Sequence, residues 1–165
     1  MKRDVIAKQE NCAQCIVCGR DNALGLQAEF FEVDSGEVVA IFKPQEQHQS
    51  YPGRLHGGMA AAILDEAIGR AMMAKEKGTW SVTAELTVRY KEPVPLHEEV
   101  RAIGRITKNS RRLFEGTGEI VLKNGKVAVT AFGKYMKMPI TRIADAELLQ
   151  WHVTQSGSDP KEIDI

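Results

Sequence analysis

The stretch from His56 to Ala74, HGGMAAAILDEAIGRAMMA, constrains this chain more than any other part of it. Set out at 100° per residue, its apolar side chains surround the helix axis on every side. Between Met59 and Ala74 only Asp65, Glu66 and Arg70 are ionisable. A helix apolar all round has to be buried. At roughly 16 residues, with charges embedded, it is too short and too polar to span a bilayer. The remaining chain must therefore wrap it. The turn signal Tyr51-Pro52-Gly53-Arg54 precedes the helix, and the apolar pattern runs to about Gly78.

The two carboxylates of this helix differ in their surroundings. Glu66 has Arg70 four residues on, the favourable orientation for a helical ion pair. Asp65 has Gly69 there, and its face carries Gly58, Ala61, Ala62, Gly69 and Met72. An acid on a face of small residues is costly unless another segment or a ligand meets it. At the helix entrance, Gly57 and Gly58 leave the first-turn N–H groups open to an oxygen that carries or develops negative charge. His56 and Asp65 are about 14 Å and two and a half turns apart along a helix, facing opposite ways. If both ends act in one small site, that site is shared between two helices, most simply from two subunits.

The flanking pattern is that of strands. Leu26 to Val33 and Val38 to Phe42 are joined by Asp34-Ser35-Gly36, and Pro44 to Gly53 forms a polar loop into the helix. After it, Trp80 to Lys91 alternates, with Val82, Ala84, Leu86, Val88 and Tyr90 on one face and Thr83 on the other. Pro93-Val94-Pro95 is a connector, and Val100 to Thr107 alternates again. Leu113 to Leu122 then pairs with Val127 to Met138 across Asn124-Gly125, a strong hairpin signal. Two strands, one buried helix and about four more strands lack a βαβ rhythm and define an α+β fold, an antiparallel sheet curled round the helix. Ala144 to Val153 reads as a short peripheral helix, and Gln155 to Ile165 as a frayed polar tail.

Equal numbers of basic and acidic residues, 22 of each, give no electrostatic case for nucleic acid. The first ten residues contain no apolar run, so a reducing, cytoplasmic setting is expected. Cys12, Cys15 and Cys18 are spaced three apart, with no fourth cysteine in the chain. Zinc and iron–sulfur sites normally take four protein ligands, and no histidine stands at a recognisable ligand spacing. The expectation is a loop packing buried thiols, with no metal.

The motif His56-Gly57-Gly58 with Leu64-Asp65-Glu66 resembles the signature of hotdog-fold acyl-CoA thioesterases of the phenylacetic-acid-degradation (PaaI-like) type. Thr83 to Tyr90 with Pro93-Val94-Pro95 resembles the strand that follows the family's helix. Cys15-Ile16-Val17-Cys18-Gly19-Arg20-Asp21-Asn22 with Gly25-Leu26 resembles an N-terminal segment of one branch. The resemblance implies a hotdog domain over 24–140, an N-terminal cysteine-containing segment over 1–23, and a peripheral helix and tail over 141–165. It implies hydrolysis of an acyl- or aryl-CoA, with CoA as part of the substrate and no cofactor. The expected assembly is a homodimer or dimer of dimers, without nucleic-acid or membrane partners.

In that picture the Gly57 N–H holds the developing oxyanion, and Gly58 keeps the approach open. Asp65 of the partner subunit is general base or nucleophile, and Thr83 steadies the water or carboxylate. His56 braces the helix entrance. Many relatives carry Asn or Gln about six residues before the motif histidine; here Ser50 stands there, with Gln49 beside it. Lys108, Ser110, Arg111 and Arg112, at a strand-to-strand turn, are the candidates for the CoA phosphates. A non-catalytic acyl-CoA-binding module and a hotdog hydratase or dehydratase stand as alternatives.

Overall fold

The computed structural model describes residues 1–145, the backbone of 151–152, and 157–165. Its helix, α1 (Gly57–Lys75), lies in a sheet built from β1 (Lys2–Lys8), β3 (Glu29–Val33), β4 (Val38–Phe42), β5 (Trp80–Tyr90), β6 (Val100–Asn109), β7 (Leu113–Val121), β8 (Val127–Met138) and β10 (Glu162–Asp164). The spatial order is β10-β1-β3-β4-β6-β7-β8-β5, and every neighbouring pair is antiparallel. A separate two-residue ladder joins β2 (Asn11–Cys12) to β9 (Trp151–His152). This is the α+β arrangement expected from the helix and the strand order.

The helix is held by close backbone approach. Ile63, Leu64, Ala67, Ile68, Ala71 and Met72 are fully buried against the sheet. On β6 a side chain at Gly104 would place its Cβ 2.1 Å from the Ala67 carbonyl oxygen. On β7, Gly116 and Gly118 leave space that Ile68 and Leu64 fill. At Gly104 the helix and sheet backbones meet with no side chain between them, and at Gly116 and Gly118 only helix side chains fill the gap. Asn124-Gly125 forms the expected hairpin between β7 and β8, with Gly125 at φ 81° and its N–H on the Leu122 carbonyl.

Three expectations need correction. The segment 1–23 does not stand wholly apart from the sheet, because β1 pairs with β3. Its largely exposed side chains explain why no apolar period announced it. The tail is not frayed at its end: β10 pairs with β1, and Ile163 is buried with Phe31, Val33, Val39 and Ile103 on the far face of the sheet. The expected helix over Ala144–Val153 falls mostly outside the described residues, and the backbone at Trp151–His152 is a strand.

Among the described residues, the strand β5 occupies the edge of the sheet and pairs only with β8. A bulge between Thr83 and Glu85 breaks its alternation and leaves Ala84 exposed. Thr83 and Tyr90 are an odd number of residues apart, so a regular strand would point them to opposite faces. The extra residue of the bulge turns both toward the helix. The sequence pattern, read without the bulge, put them on opposite faces.

We expect Gly104→Ala to lose more than about 2 kcal/mol of stability from overpacking. The corresponding fall in Tm is on the order of 5 °C for a chain of this size, read by thermal melting. An unchanged Tm would show that the helix and sheet yield at this contact.

Candidate functional site

Asp65 sits half-buried in the middle of α1, and two hydroxyls meet it. Thr83 Oγ1 donates to Oδ1 at 2.8 Å, and the Tyr135 hydroxyl lies 3.0 Å from the same oxygen and 3.2 Å from the Asp65 carbonyl. Oδ2 has no hydrogen-bond partner among the described residues. The costly acid of the sequence is therefore satisfied on one oxygen and open on the other.

Tyr135 escaped the sequence reading. It lies in β8, within the strand Val127 to Met138 that the hairpin signal outlined. The signal was its hydroxyl, since a buried tyrosine needs a hydrogen-bond partner. It is 2% exposed and stacks on Phe114 with ring centroids 4.8 Å apart. A side chain at Gly133 would meet its ring at 2.5 Å, so that glycine makes room for it. Burial first, and then the neighbouring Asp65 charge, push the phenol pKa far above its ordinary value. Tyr135 therefore stays protonated and remains a donor.

These groups open into a pocket of about 460 Å³, within the usual range for small-molecule sites. Met73 and Trp80 line it, whereas Ile63 and Met72 are fully buried in the core. Its opposite wall is the segment Cys12–Cys18, which the sequence reading had not connected to Asp65.

The other half of the candidate site is the helix entrance. His56 is the N-cap, and its Nδ1 accepts the Gly58 N–H at 2.9 Å. A Cβ at Gly58 would lie 3.0 Å from that ring nitrogen, so Gly58 serves the cap and its N–H is not open. The Gly57 N–H has no acceptor among the described residues. Tyr90 donates its hydroxyl to the Gly57 carbonyl at 2.7 Å. The entry loop is braced from below: the His56 N–H bonds the carbonyl of buried His48 at 2.8 Å. Gln49 Oε1 accepts the Gly53 N–H at 2.9 Å, and the Ser50 N–H donates to the Arg54 carbonyl. Gln49 and Ser50 thus lie on the entry loop and do not line the Asp65 pocket.

Gly57 and Asp65 are about 12 Å apart along the helix axis, and Gly57 does not line the Asp65 pocket. The structure holds the two apart within one chain. Both touch the edge strand β5, Asp65 through Thr83 and Gly57 through Tyr90.

The turn between β6 and β7 holds the basic candidates. Ser110 closes it, with N–H and Oγ both on the Leu113 carbonyl at 2.9 and 2.8 Å. Ser110, Arg111 and Lys137 line an open groove of about 680 Å³. Trp80 lines this groove and the Asp65 pocket alike. Arg112 is exposed beside the groove, and Lys108 makes a long contact of 3.9 Å with Glu115.

One long helix clasped by an antiparallel sheet, with an acid at mid-helix and a His-Gly-Gly entrance, has the architecture of the hotdog fold. Residues 52–129 match the family model of the thioesterase superfamily. Among curated relatives, human acyl-coenzyme A thioesterase 13 is 28% identical over 78 residues, which are 47% of this chain and 56% of that protein. The chain thus matches little more than half the length of such relatives. The solved structure of zebrafish thioesterase superfamily member 2 superposes with a TM-score of 0.63 at 28% identity, covering 72% of this chain and 86% of that one. The E. coli PaaI protein of the phenylacetic acid degradation operon shares the fold, with a TM-score of 0.63 at 19% identity over 68% of this chain and 80% of that one. Among the described residues, no helix is long and apolar enough to cross a membrane.

Replacing His56 by Ala removes a side-chain cap, which costs about 1 kcal/mol. The urea midpoint of His56→Ala should fall accordingly, while His56→Asn, a good cap, should recover most of it. Equal midpoints for wild type and His56→Ala would rule out the capping role.

Proposed function

We propose that this chain hydrolyses acyl-CoA thioesters to the free acid and CoA at a site shared between two copies. The observation that carries the reading is Asp65, with Oδ1 fixed by Thr83 and Tyr135 and Oδ2 left open to a pocket. Relatives named acyl-coenzyme A thioesterases support the substrate class.

The edge strand supplies the geometry for sharing. β5 is 11 residues long and largely exposed, and such an edge tends to pair. Antiparallel pairing about a twofold axis near Leu86 and Thr87 sets Thr83 of one copy level with the partner's Tyr90. Asp65 then faces the Gly57 entrance of the other subunit, with Gln49 and Ser50 on the loop beside it.

In this assembly the thioester carbonyl accepts the Gly57 N–H, and one such donor is worth about 3 kcal/mol when the oxyanion forms. In one route Asp65 takes a proton from water as the water attacks the carbonyl carbon. In the other, Asp65 attacks directly, and water hydrolyses the resulting anhydride. Both routes consume one water, expel CoA as thiolate, return it a proton, and need no cofactor. The acyl group takes the 460 Å³ pocket, and the CoA phosphates take the groove with Arg111, Ser110 and Lys137, flanked by Lys108 and Arg112. A reducing compartment such as the cytoplasm suits its three free cysteines.

Release of free thiol from a panel of aryl-, short- and medium-chain acyl-CoAs tests the activity. We expect Asp65→Asn to lower kcat by at least about 100-fold, the lower end for loss of a positioned base. If wild type hydrolyses none of the panel, or Asp65→Asn is as fast as wild type, the activity or the role of Asp65 is refuted. Mixed dimers of Gly57→Pro and Asp65→Asn subunits should regain part of the activity at the one intact site. Failure to recover in verified, folded heterodimers would refute the shared site. A single turnover in ¹⁸O-water labels the Asp65 carboxylate only if it attacks directly.

A further inference from the structure

The wall facing Asp65 carries a cluster that thioester hydrolysis does not use. Cys15 Sγ, Cys18 Sγ and a Glu66 carboxylate oxygen all lie within 4.8 Å of one another. Glu66 comes from the helix, 48 residues beyond Cys18 in the chain, so the grouping is a product of the fold. From Cys15-x-x-Cys18 and Glu66, we propose that the chain binds one divalent transition metal, of which zinc is the natural occupant.

The donor set and its spacing fit. Tetrahedral zinc takes Zn–S bonds near 2.3 Å and Zn–O bonds near 2.0 Å. Ligand atoms then sit about 3.8 Å apart for S···S and about 3.5 Å for S···O. Cys15 Sγ is already 3.3 Å from Glu66 Oε2. The remaining pairs lie within 4.8 Å and need to close by about 1 Å, in line with small rotations of the side chains. Two thiolates and a carboxylate carry three negative charges, and the metal neutralises two. The guanidinium of Arg70 supplies the third, with Nε 2.8 Å from Glu66 Oε1. Cys12 lines the same pocket and, with water, is the available source of a fourth ligand.

The surroundings are built for bound sulfur. The Val17 N–H donates to Cys15 Sγ at 3.3 Å, and the Cys12 N–H to Cys18 Sγ at 3.4 Å. Such outer contacts orient and tune metal ligands. The Glu66 carboxylate is itself oriented, because Arg70 takes Oε1 and leaves Oε2 aimed at Cys15. Arg70 is in turn fixed by the Glu10 carbonyl at 2.8 Å and by the Phe30 ring beneath it. Buried Asn11 donates to the Cys18 and Ala28 carbonyls at 2.8 and 3.1 Å, pinning the loop to the sheet. A side chain at Gly19 would meet the Cys15 carbonyl oxygen at 2.4 Å, so the turn closing this loop admits glycine. A search for a fourth cysteine or a spaced histidine could not find this site, because its third ligand is a carboxylate from another element.

The test uses the whole chain, purified under reducing conditions without chelator. Elemental analysis should find about one zinc per chain, and titration of metal-free protein with Co²⁺ should give thiolate-to-cobalt absorption saturating at one equivalent. Cys15→Ser, Cys18→Ser and Glu66→Gln should each weaken Co²⁺ binding by more than about 100-fold, beyond the loss typical for an outer-sphere contact. If the wild-type protein holds no stoichiometric zinc and gives no saturable cobalt spectrum, the site is overturned, whether or not any variant folds. Metal that persists with full affinity in Glu66→Gln would overturn the assignment of Glu66. Metal content is read independently of acyl-CoA hydrolysis, so either proposal can fail without the other.

Discussion

Everything in this molecule depends on how closely its helix approaches its sheet. The Ala67 backbone rests where a β6 side chain would otherwise stand, and Gly116 and Gly118 of β7 receive Ile68 and Leu64. That proximity fixes the helix in rotation as well as in position. Asp65 therefore points toward β5 and β8, where Thr83 and Tyr135 find it, while the next residue, Glu66, points toward the cysteine loop. Two carboxylates adjacent in sequence serve different partners because one packed helix assigns each its direction.

The fold was largely legible because its signals were local and redundant. The apolar helix, the Asn124-Gly125 turn and the alternating strands from Trp80 to Met138 each state their structure within a few residues. β1 and β10 were missed because they are flanking strands with mostly exposed side chains, and their pairing depends on partners far away in the chain. Periodicity carries no record of such a partner.

The candidate site was legible in its residues and less so in its relations. Asp65 stood out as an acid with no local explanation, and Thr83 is the hydroxyl that reaches it. Tyr135 was hidden because a core aromatic and a hydrogen-bond donor look alike in a strand pattern. Gly58 was taken for open space, whereas its N–H is bound by His56. Glu66 was accounted for by Arg70, and that account was true and incomplete: one carboxylate oxygen pairs with Arg70 while the other meets Cys15.

The bulge in β5 has a consequence for how such a chain can diversify. Eight steps of helix from Gly57 to Asp65 are matched to seven steps of strand from Thr83 to Tyr90, one of them folded into the bulge. Substitutions within either span leave that match intact. A single-residue insertion or deletion in the strand would turn one of its two contact residues away from the helix. What these segments must keep through divergence is therefore their length and phase, with side-chain identity free to drift elsewhere along them.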